Sequence, residues 1–144
     1  MINYEELSDF LKSKSLVEEP FTTYGQVQNI TFLGFPANVL SLLAEKLKFT
    51  NMEIQTIMGM SQSTFSRRIS SERLSKEESE RFLQIANIYK KGMEVFENES
   101  DFSLWLKTKN PSLADKEPID MLSSLIGITE VEESLLQIEH GIYS

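Results

Sequence analysis

The sequence has no cysteine and a single histidine, His140, among its 144 residues. The missing thiols exclude a disulfide framework and thiolate metal sites, and one histidine cannot form an imidazole cluster, so we expect neither a metal nor another cofactor. Six glycines and four prolines, with no Asn-Gly or Asp-Gly turn, favour helices over hairpins. No apolar run approaches the roughly 18 residues of a membrane span, so no membrane partner is expected.

Signals for export and for enzyme chemistry are also missing. The start of the chain, Met1-Ile-Asn-Tyr-Glu-Glu, lacks the basic residues and the apolar stretch of a signal peptide, so the cytoplasm is the expected location. No glycine-rich loop follows a strand and no nucleophile elbow occurs, so we expect no catalytic residues and no enzyme activity. With 40% hydrophobic residues, the chain can bury one good core or two small ones.

The net charge of −8 is unevenly distributed along the chain. Residues 1–93 hold 11 basic and 11 acidic side chains, whereas residues 94–144 hold 3 basic and 11 acidic ones. This division predicts two domains, at 1–94 and 95–144. Residues 61–93 carry a local excess of three positive charges. Such mixtures usually belong to solvated helix faces, but they also fit nucleic acid at one end of the protein and a basic protein at the other.

Hydrophobic spacing predicts the helices of the first domain. One helix covers residues 4 to about 14, and the polar stretch 22–28 is predicted to be a loop. A stronger helix follows Pro36, with apolar residues recurring at helical spacing. Thr50 and Glu53 form a capping box that opens the next helix.

The segment that follows has the spacing of a helix-turn-helix. Gly59 ends one helix, and Ser61 caps another that extends to about residue 70. A small residue usually stands four positions before the glycine, and Gln55 departs from that pattern. Phe65 and Ile69 face inward, which leaves the polar side chains toward solvent or DNA. The candidate DNA-binding residues are Gln62, Ser63, Thr64, Ser66, Arg67 and Arg68.

These side chains suit contacts with bases and phosphates. Glutamine pairs with adenine and arginine with guanine, while serine, threonine and helix N-terminal amides bind phosphates. Arg67 and Arg68 can instead pair with a glutamate such as Glu72. We expect one arginine to have a structural role and the other to face DNA.

A long helix is predicted over residues 76 to about 97, with Ser75 and Glu78 as its capping pair. Its apolar stripe joins the two halves of the chain and packs against both of them. The stripe comprises Phe82, Ile85, Ala86, Tyr89, Met93 and Phe96.

The C-terminal segment predicts a compact unit of three helices. A short helix holds Trp105, which is expected to anchor the core of this unit, and a turn follows at Asn110-Pro111 because the residue before proline leaves helical geometry. Pro118 begins a second helix, and Gly127 is predicted to end it.

The third helix carries most of the remaining acidic residues. Thr129 and Glu132 form its predicted capping box, and its apolar residues share one face. Gly141 is predicted to stop this helix and to leave Ile142-Tyr143-Ser144 as a free tail. His140 either caps the helix C-terminus, where a cation interacts well with the dipole, or contacts a partner.

In this order, the C-terminal motifs resemble the toxin-binding domain of the Xre/MbcA/ParS-type antitoxins. The motifs are Trp105-Leu106, Asn110-Pro-Ser-Leu113, Pro118-Ile-Asp-Met-Leu122, Gly127 and the ending Ile138-Glu-His-Gly-Ile-Tyr-Ser144. The segment Ser61-Gln-Ser-Thr-Phe-Ser-Arg-Arg68 is similar to the recognition helix of the same family. The resemblance implies an all-α fold in which a long helix joins an N-terminal Xre-like helix-turn-helix domain to a small helical toxin-binding domain.

The function that the resemblance implies is neutralisation of a toxin. Antitoxins of this type pair with RES-domain toxins, which consume NAD or transfer ADP-ribose, and they bind the promoter of their own operon. Their terminal segment approaches or blocks the entrance of the toxin's active site. The acidic face of the last helix, with Glu132 among its members, is then available to a basic toxin surface. The residues expected to bind the toxin are Glu130, Glu133, Gln137, Ile138, Glu139, His140, Gly141, Ile142, Tyr143 and Ser144.

One position departs from the family pattern, because Gln137 stands where arginine is common. A contact made by a guanidinium is therefore weaker here or replaced. Operators with two-fold symmetry need two-fold proteins, so a homodimer bound to operator DNA is expected. A second interpretation is a helix-turn-helix transcription regulator whose C-terminal domain serves dimerisation or another protein partner.

Overall fold

The computed structural model describes residues 2–141, apart from the side chain of Ser71. Within this range, the chain forms α-helices, one 3₁₀ turn and loops, and its extended pairing is limited to isolated bridges, so the predicted all-α class is confirmed. The elements are α1 (Tyr4–Ser13), α2 (Tyr24–Leu33), α3 (Asn38–Leu47), α4 (Asn51–Met58), α5 (Gln62–Ser71), α6 (Lys76–Val95), α7 (Glu99–Leu106), the 3₁₀ turn (Pro111–Leu113), α8 (Pro118–Met121) and α9 (Leu125–Glu139).

Helix α2 occupies the stretch that was expected to be a loop, so that prediction is wrong. Thr23 and Gln26 form a capping box at its start: the Thr23 hydroxyl accepts from the Gln26 amide, and Gln26 Oε1 accepts from the Thr23 amide at 3.1 Å. Val27 and Thr31 are its buried residues. The helix has few buried apolar positions, and this weak pattern explains why hydrophobic spacing does not reveal it.

Helix α6 runs through the centre of the molecule, as the long apolar stripe predicts. Phe82, Ile85 and Tyr89 are fully buried, with 0% of their surface exposed. The helix packs against α1, α2, α3 and α4 on the N-terminal side and against α7 and α9 on the C-terminal side. Its capping box of Ser75 and Glu78 is present, and the helix ends two residues earlier than the predicted residue 97.

The last helix begins earlier than its sequence suggests. Ser124 caps it, because the Ser124 hydroxyl accepts from the Gly127 amide at 3.0 Å. Gly127 therefore lies inside α9 and does not end the preceding helix. A Cβ added at position 127 would stand 1.9 Å from the Met121 carbonyl oxygen. The predicted capping box at Thr129 is also wrong, because the Thr129 hydroxyl donates to the Leu125 carbonyl within the helix at 3.0 Å.

The aromatic core of the C-terminal half is centred on a residue that the sequence did not single out. Phe102 is completely buried, stacks on Phe96 with ring centroids 5.6 Å apart, and approaches Gly92 so closely that no side chain fits there. Trp105 is only partly buried at the edge of this stack, 6.2 Å from the Phe102 ring. The expectation that Trp105 anchors the core is therefore wrong, because Phe102 occupies the central position.

Polar contacts also connect the first helices with the last ones. Arg81 on α6 donates to the carbonyl of Ile57, at the end of α4, and to the carbonyl of Leu122, after α8, at 3.1 and 3.4 Å. Lys107 Nζ lies 3.2 Å from Glu53 Oε1 on α4. These contacts and the shared α6 hold the C-terminal helices against the helix-turn-helix. In the described residues, no helix has the length and apolar character needed to cross a bilayer.

Candidate functional site

Helices α4 and α5 have the predicted helix-turn-helix geometry. Gly59 ends α4 in a left-handed conformation with φ of 67°, which glycine adopts at little cost. Ser61 then caps α5 by accepting a hydrogen bond from the Thr64 amide at 3.2 Å. Phe65 is buried and Ile69 is partly buried, so they fix which face of α5 points away from the core. The fold thereby presents one polar helix face at the surface.

Most of the candidate DNA-binding residues lie on that face. Thr64 and Arg68 are partly buried, and the remaining four are exposed: Gln62, Ser63, Ser66 and Arg67. The hydroxyls of Ser61 and Thr64 are 3.0 Å apart. The structure thus brings the residues together on one accessible helix, and their contacts with DNA stay predictions.

The two adjacent arginines have different surroundings. The Arg68 side chain is 18% exposed and donates from Nε to Glu78 at 2.9 Å and from Nη1 to Glu72 at 2.8 Å. The Arg67 side chain is 59% exposed, and its Nε lies 3.7 Å from Glu72, which is longer than a hydrogen bond. Two carboxylates hold the guanidinium of Arg68, so its geometry is that of a structural residue and disfavours a base contact. Arg67 is free to turn toward a ligand.

The Arg68 cluster also changes the acidity of its partners. Burial alone raises the pKa of Glu78, but hydrogen bonds from Arg68 and from the Ser75 amide outweigh it and hold that pKa below its ordinary value of 4.5. The hydrogen bond to Glu78 raises the pKa of Arg68 in turn. Because Glu78 also accepts the backbone bond that opens α6, this cluster ties the recognition helix to the central helix.

The predicted toxin-binding residues follow the outer side of α9 and its end. Glu130, Glu133, Glu139, His140 and Gly141 are exposed, and Gln137 and Ile138 are partly buried. His140 is the C-cap residue, so its backbone matches the first of its two interpretations, while contact with a partner stays a prediction. Ile142, Tyr143 and Ser144 lie outside the described residues, as does the predicted free tail.

Glu132 differs from the other acidic residues of α9. It is partly buried, and its carboxylate accepts a hydrogen bond from Asn87 Nδ2 on α6 at 2.8 Å. The expectation that Glu132 belongs to an exposed acidic face is therefore wrong. The accessible acidic groups on this helix are Glu130, Glu133 and Glu139.

Two grooves flank α9, and the 3₁₀ turn separates them. One groove, of about 440 Å³, is lined by Glu130, Glu133 and Gln137 of α9 and by residues between Ser112 and Lys116. The other groove, of about 560 Å³, is lined by Trp105, Pro111 and Ile138 among others. Ser112 and Ser134 line both, and their hydroxyls are 3.4 Å apart across the turn. Three predicted residues therefore share one groove and Ile138 lies in the other.

Sequence reasoning missed the loop that forms the opposite wall of both grooves. Ala114 and Asp115 have φ of 58° and 59°, a left-handed conformation that is unusual for residues with a side chain. Asn110 stabilises the turn by accepting hydrogen bonds from the amide and the hydroxyl of Ser112 at 2.9 and 2.7 Å. The motif Asn110-Pro111 signals a turn at this place, but it gives no sign that the turn lies against α9. The lining residues missed from this loop and its flanks are Thr108, Lys109, Asn110, Pro111, Ser112, Leu113, Ala114 and Lys116, and those missed from the helices are Trp105 on α7, Met121 on α8 and Ser134 on α9.

Two domain models of known protein families match this chain. Residues 34–87 match the model of the antitoxin Xre-like helix-turn-helix domain, and residues 91–141 match that of the antitoxin Xre/MbcA/ParS C-terminal toxin-binding domain. Antitoxin Xre of Pseudomonas putida is 32% identical over 109 residues, which cover 75% of this chain and 67% of that protein. The chain belongs to the antitoxin Xre family. The antitoxin thus has a helix-turn-helix domain within residues 34–87 and a toxin-binding domain within residues 91–141, and α6 extends through the end of the first match into the start of the second.

Other relatives extend the comparison to more distant proteins. Antitoxin Xre of Yersinia enterocolitica is 25% identical to this antitoxin over 114 residues, covering 78% of this chain and 77% of the relative. A chain of the crystal structure of the M. tuberculosis MbcT-MbcA toxin-antitoxin complex superposes with a TM-score of 0.60 at 18% identity, covering 75% of this chain and 96% of that one. This structural likeness shows a shared fold. Residues 1–33, with α1 and α2, precede both matched domains.

Proposed function

We propose that this antitoxin neutralises a RES-domain toxin through its C-terminal domain and represses its own operon as a homodimer that binds operator DNA through α5. The observation that carries the proposal is the position of α9. Glu130 and Glu133 line one open groove and Ile138, near the C-terminal end of the helix, lines another, within the domain that matches a toxin-binding family. A basic, shape-complementary protein surface fits this arrangement.

The toxin contact has two physical components in this proposal. Glu130, Glu133 and Glu139 attract a basic surface and accelerate its association. The groove lined by Trp105, Pro111 and Ile138 accepts apolar side chains, which contribute most of the affinity at protein interfaces. The end of α9 at Glu139 then directs the last residues of the chain toward the toxin's active-site entrance. Gln137 offers an amide to the same toxin surface.

The DNA contact uses the exposed face of α5. Arg67 and Gln62 reach base edges, while Ser63 and the N-terminal amides of the helix bind phosphate. Arg68 fixes the helix from behind through Glu72 and Glu78. The proposal places this activity in the cytoplasm and assigns the antitoxin a binding role without catalysis, in line with its family.

Co-expression with a RES-domain toxin tests the toxin half of the proposal. The antitoxin should restore growth and cellular NAD, and the two proteins should copurify. Charge reversal of Glu130 and Glu133 together should weaken both effects, because like charges then oppose the basic surface. Glu97→Lys is the matched control, since it reverses an exposed acidic residue of the same half that lies outside both grooves.

Two outcomes contradict the toxin assignment. If a folded double variant protects as well as the parent, α9 is not the contact surface. If the antitoxin binds no RES-domain toxin but still represses a promoter, the second interpretation holds, in which the C-terminal domain serves dimerisation or another protein.

A further inference from the structure

The segment that leads into the helix-turn-helix carries no charge. Residues 20–44 contain no Asp, Glu, Lys or Arg, although such residues make up 25% of the chain. Part of this segment is buried α3, but α2 lies at the surface. Helix α2 exposes Tyr24 by 71%, Phe32 by 79% and Leu33 by 54%. A surface helix without charges that exposes two aromatic rings and a leucine is typical of a surface that another protein covers.

The exposed residues form a continuous stripe. Tyr24, Gln28 and Phe32 are four residues apart, so they lie above one another on one face of the helix. Gln28 donates a hydrogen bond to the Tyr24 hydroxyl at 2.9 Å. Between this stripe and α6 lies a groove of about 440 Å³, with Val27 and Leu83 among its lining residues. The stripe and the groove together are called the α2 face.

We propose that the α2 face is the surface on which a second copy of this chain docks, with the two α2 helices antiparallel across a two-fold axis. In this arrangement the helices cross at Gln28, and Tyr24 of each copy meets Phe32 of the other. The eight-residue separation of the rings corresponds to about 12 Å along the helix. The inference rests on the proposed homodimer and names the surface that forms it.

Charge selects a second copy as the occupant. Each copy has a net charge of −8, so most pairs of surfaces repel one another. The α2 stripe carries no charge, and the groove beside it adds Lys76 and Glu80, whose opposite charges balance, so two copies approach here at least cost. Operator DNA requires a basic surface, which the α2 stripe does not provide. A basic toxin finds its complement on the acidic half of the chain, at residues 94–144. Both of these ligands therefore have better surfaces elsewhere on the molecule.

The exposed area is of the right order for a dimer. From the surface that aromatic and leucine side chains typically bury, Tyr24, Phe32 and Leu33 together expose on the order of 400 Å². A stable interface buries roughly 800 Å² on each partner. The three side chains supply about half of that area, and the walls of the adjacent groove supply further surface, with Ile2, Tyr4 and Leu83 among its apolar residues.

Sedimentation equilibrium of the full chain, at concentrations from about 1 to 100 μM, tests the inference for dissociation constants near the micromolar range. The parent protein should be a dimer, and Phe32→Glu should shift the dissociation constant upward by at least about tenfold, because the two-fold axis places the new charge in the interface twice. Met52→Glu is the matched control: Met52 is 74% exposed on α4, away from the α2 face, and its variant should remain a dimer.

A charge exchange tests the antiparallel pairing. In the double variant Tyr24→Lys, Phe32→Glu, the new lysine of one copy faces the new glutamate of the other copy, whereas the two charges within one copy lie about 12 Å apart. The double variant should therefore restore the dimers that Phe32→Glu alone has lost. Circular dichroism verifies that each variant is folded, as their exposed positions predict. A monomeric parent, a fully dimeric Phe32→Glu variant, or equal loss in Met52→Glu overturns the inference. If Phe32→Glu loses toxin copurification but remains a dimer, the α2 face binds the toxin instead. The proposed function is tested separately by the charge reversal of Glu130 and Glu133 on α9.

Discussion

Removing Arg68 should destabilise the antitoxin, whereas removing its neighbour Arg67 should leave its stability almost unchanged. Arg68 makes a charge-assisted hydrogen bond to Glu78, whose side chain is 16% exposed, and bonds of this kind contribute roughly 1.5 to 3 kcal/mol. Its second bond is to Glu72, which is 41% exposed and more strongly screened by solvent, so it adds less than about 1 kcal/mol. We therefore expect Arg68→Ala to cost about 2 to 3 kcal/mol in the free energy of unfolding.

For a chain of this length, the expected loss lowers the melting temperature by about 5 to 10 °C, which thermal denaturation followed by circular dichroism resolves easily. Arg67→Ala is the matched control. Its ion pair is long and 59% exposed on the arginine side, so its loss should cost no more than about 0.5 kcal/mol. In a gel-shift assay, the same variant should weaken operator binding by about 1 to 3 kcal/mol if Arg67 reads a base edge. Equal melting temperatures for the two variants would refute the structural assignment.

The pH dependence gives an independent test of the same cluster. The pKa of Glu78 is lowered in the folded protein, so Glu78 binds a proton more readily when the chain is unfolded. Its stabilising contribution is therefore present above its ordinary pKa of 4.5 and is lost as the pH falls through the lower, folded value. Arg68→Ala should flatten the fall in melting temperature in this acidic range. A curve for the variant that runs parallel to that of the parent protein would contradict the explanation.

Three further predictions concern the C-terminal half. Gly127→Ala should lower the melting temperature because its Cβ would meet a backbone oxygen at 1.9 Å. Gly25→Ala is the control: its Cβ would meet nothing within 4 Å, so it should be neutral or stabilise α2 by up to about 1 kcal/mol. Similar losses of melting temperature in both variants would contradict the explanation by a steric clash. Phe102→Ala should cost roughly 3 to 5 kcal/mol in the free energy of unfolding and abolish protection in co-expression. Trp105→Ala should cost less, because Trp105 is partly buried, and should mainly weaken toxin affinity in a pull-down. Deleting residues 141–144 should leave the melting temperature and operator binding unchanged but reduce protection in co-expression, and full protection would assign neutralisation to the surface of α9.

The elements that sequence analysis located correctly share strong local signals. The capping boxes at Thr50 and Ser75 and the left-handed Gly59 are all present where they were expected. The long apolar stripe of α6 is equally clear, because Phe82, Ile85, Ala86 and Tyr89 recur at helical spacing and are buried, while Met93 and Phe96 are partly buried. These features depend on neighbours in the sequence, and that is why the sequence reveals them.

The errors arise where a local signal competes with the packing of one helix against another. Thr129 and Glu132 satisfy the capping-box pattern, yet Ser124 begins the helix, since a glycine at position 127 lets α9 approach the Met121 carbonyl. Glu132 looks like a solvated charge, but its partner Asn87 is 45 residues away. Neither contact leaves a trace in the spacing of nearby residues.

The candidate DNA face was predictable because it belongs to one helix, whereas the candidate toxin surface was predictable only on its α9 side. Helical periodicity identifies which residues of α5 point outward once Phe65 is assigned to the core. The grooves beside α9 depend instead on how the 3₁₀ turn packs against that helix, through residues such as Ser112 and Lys116. Such packing is a tertiary property, so the sequence named one wall of the groove and missed the other.

Charge and packing divide this chain differently, and the difference bears on how the two proposed activities relate. Acidic residues accumulate after residue 93, which predicts a boundary near 94. Helix α6, however, extends to Val95 and packs closely against α9, while Arg81 bonds to carbonyls on both sides. A cut at the boundary would expose the buried face of α6, so the change in charge does not mark a unit that folds alone. The boundary itself stays a prediction. If the toxin binds α9 as proposed, a movement of α9 acts directly on α6, the helix that supports α5.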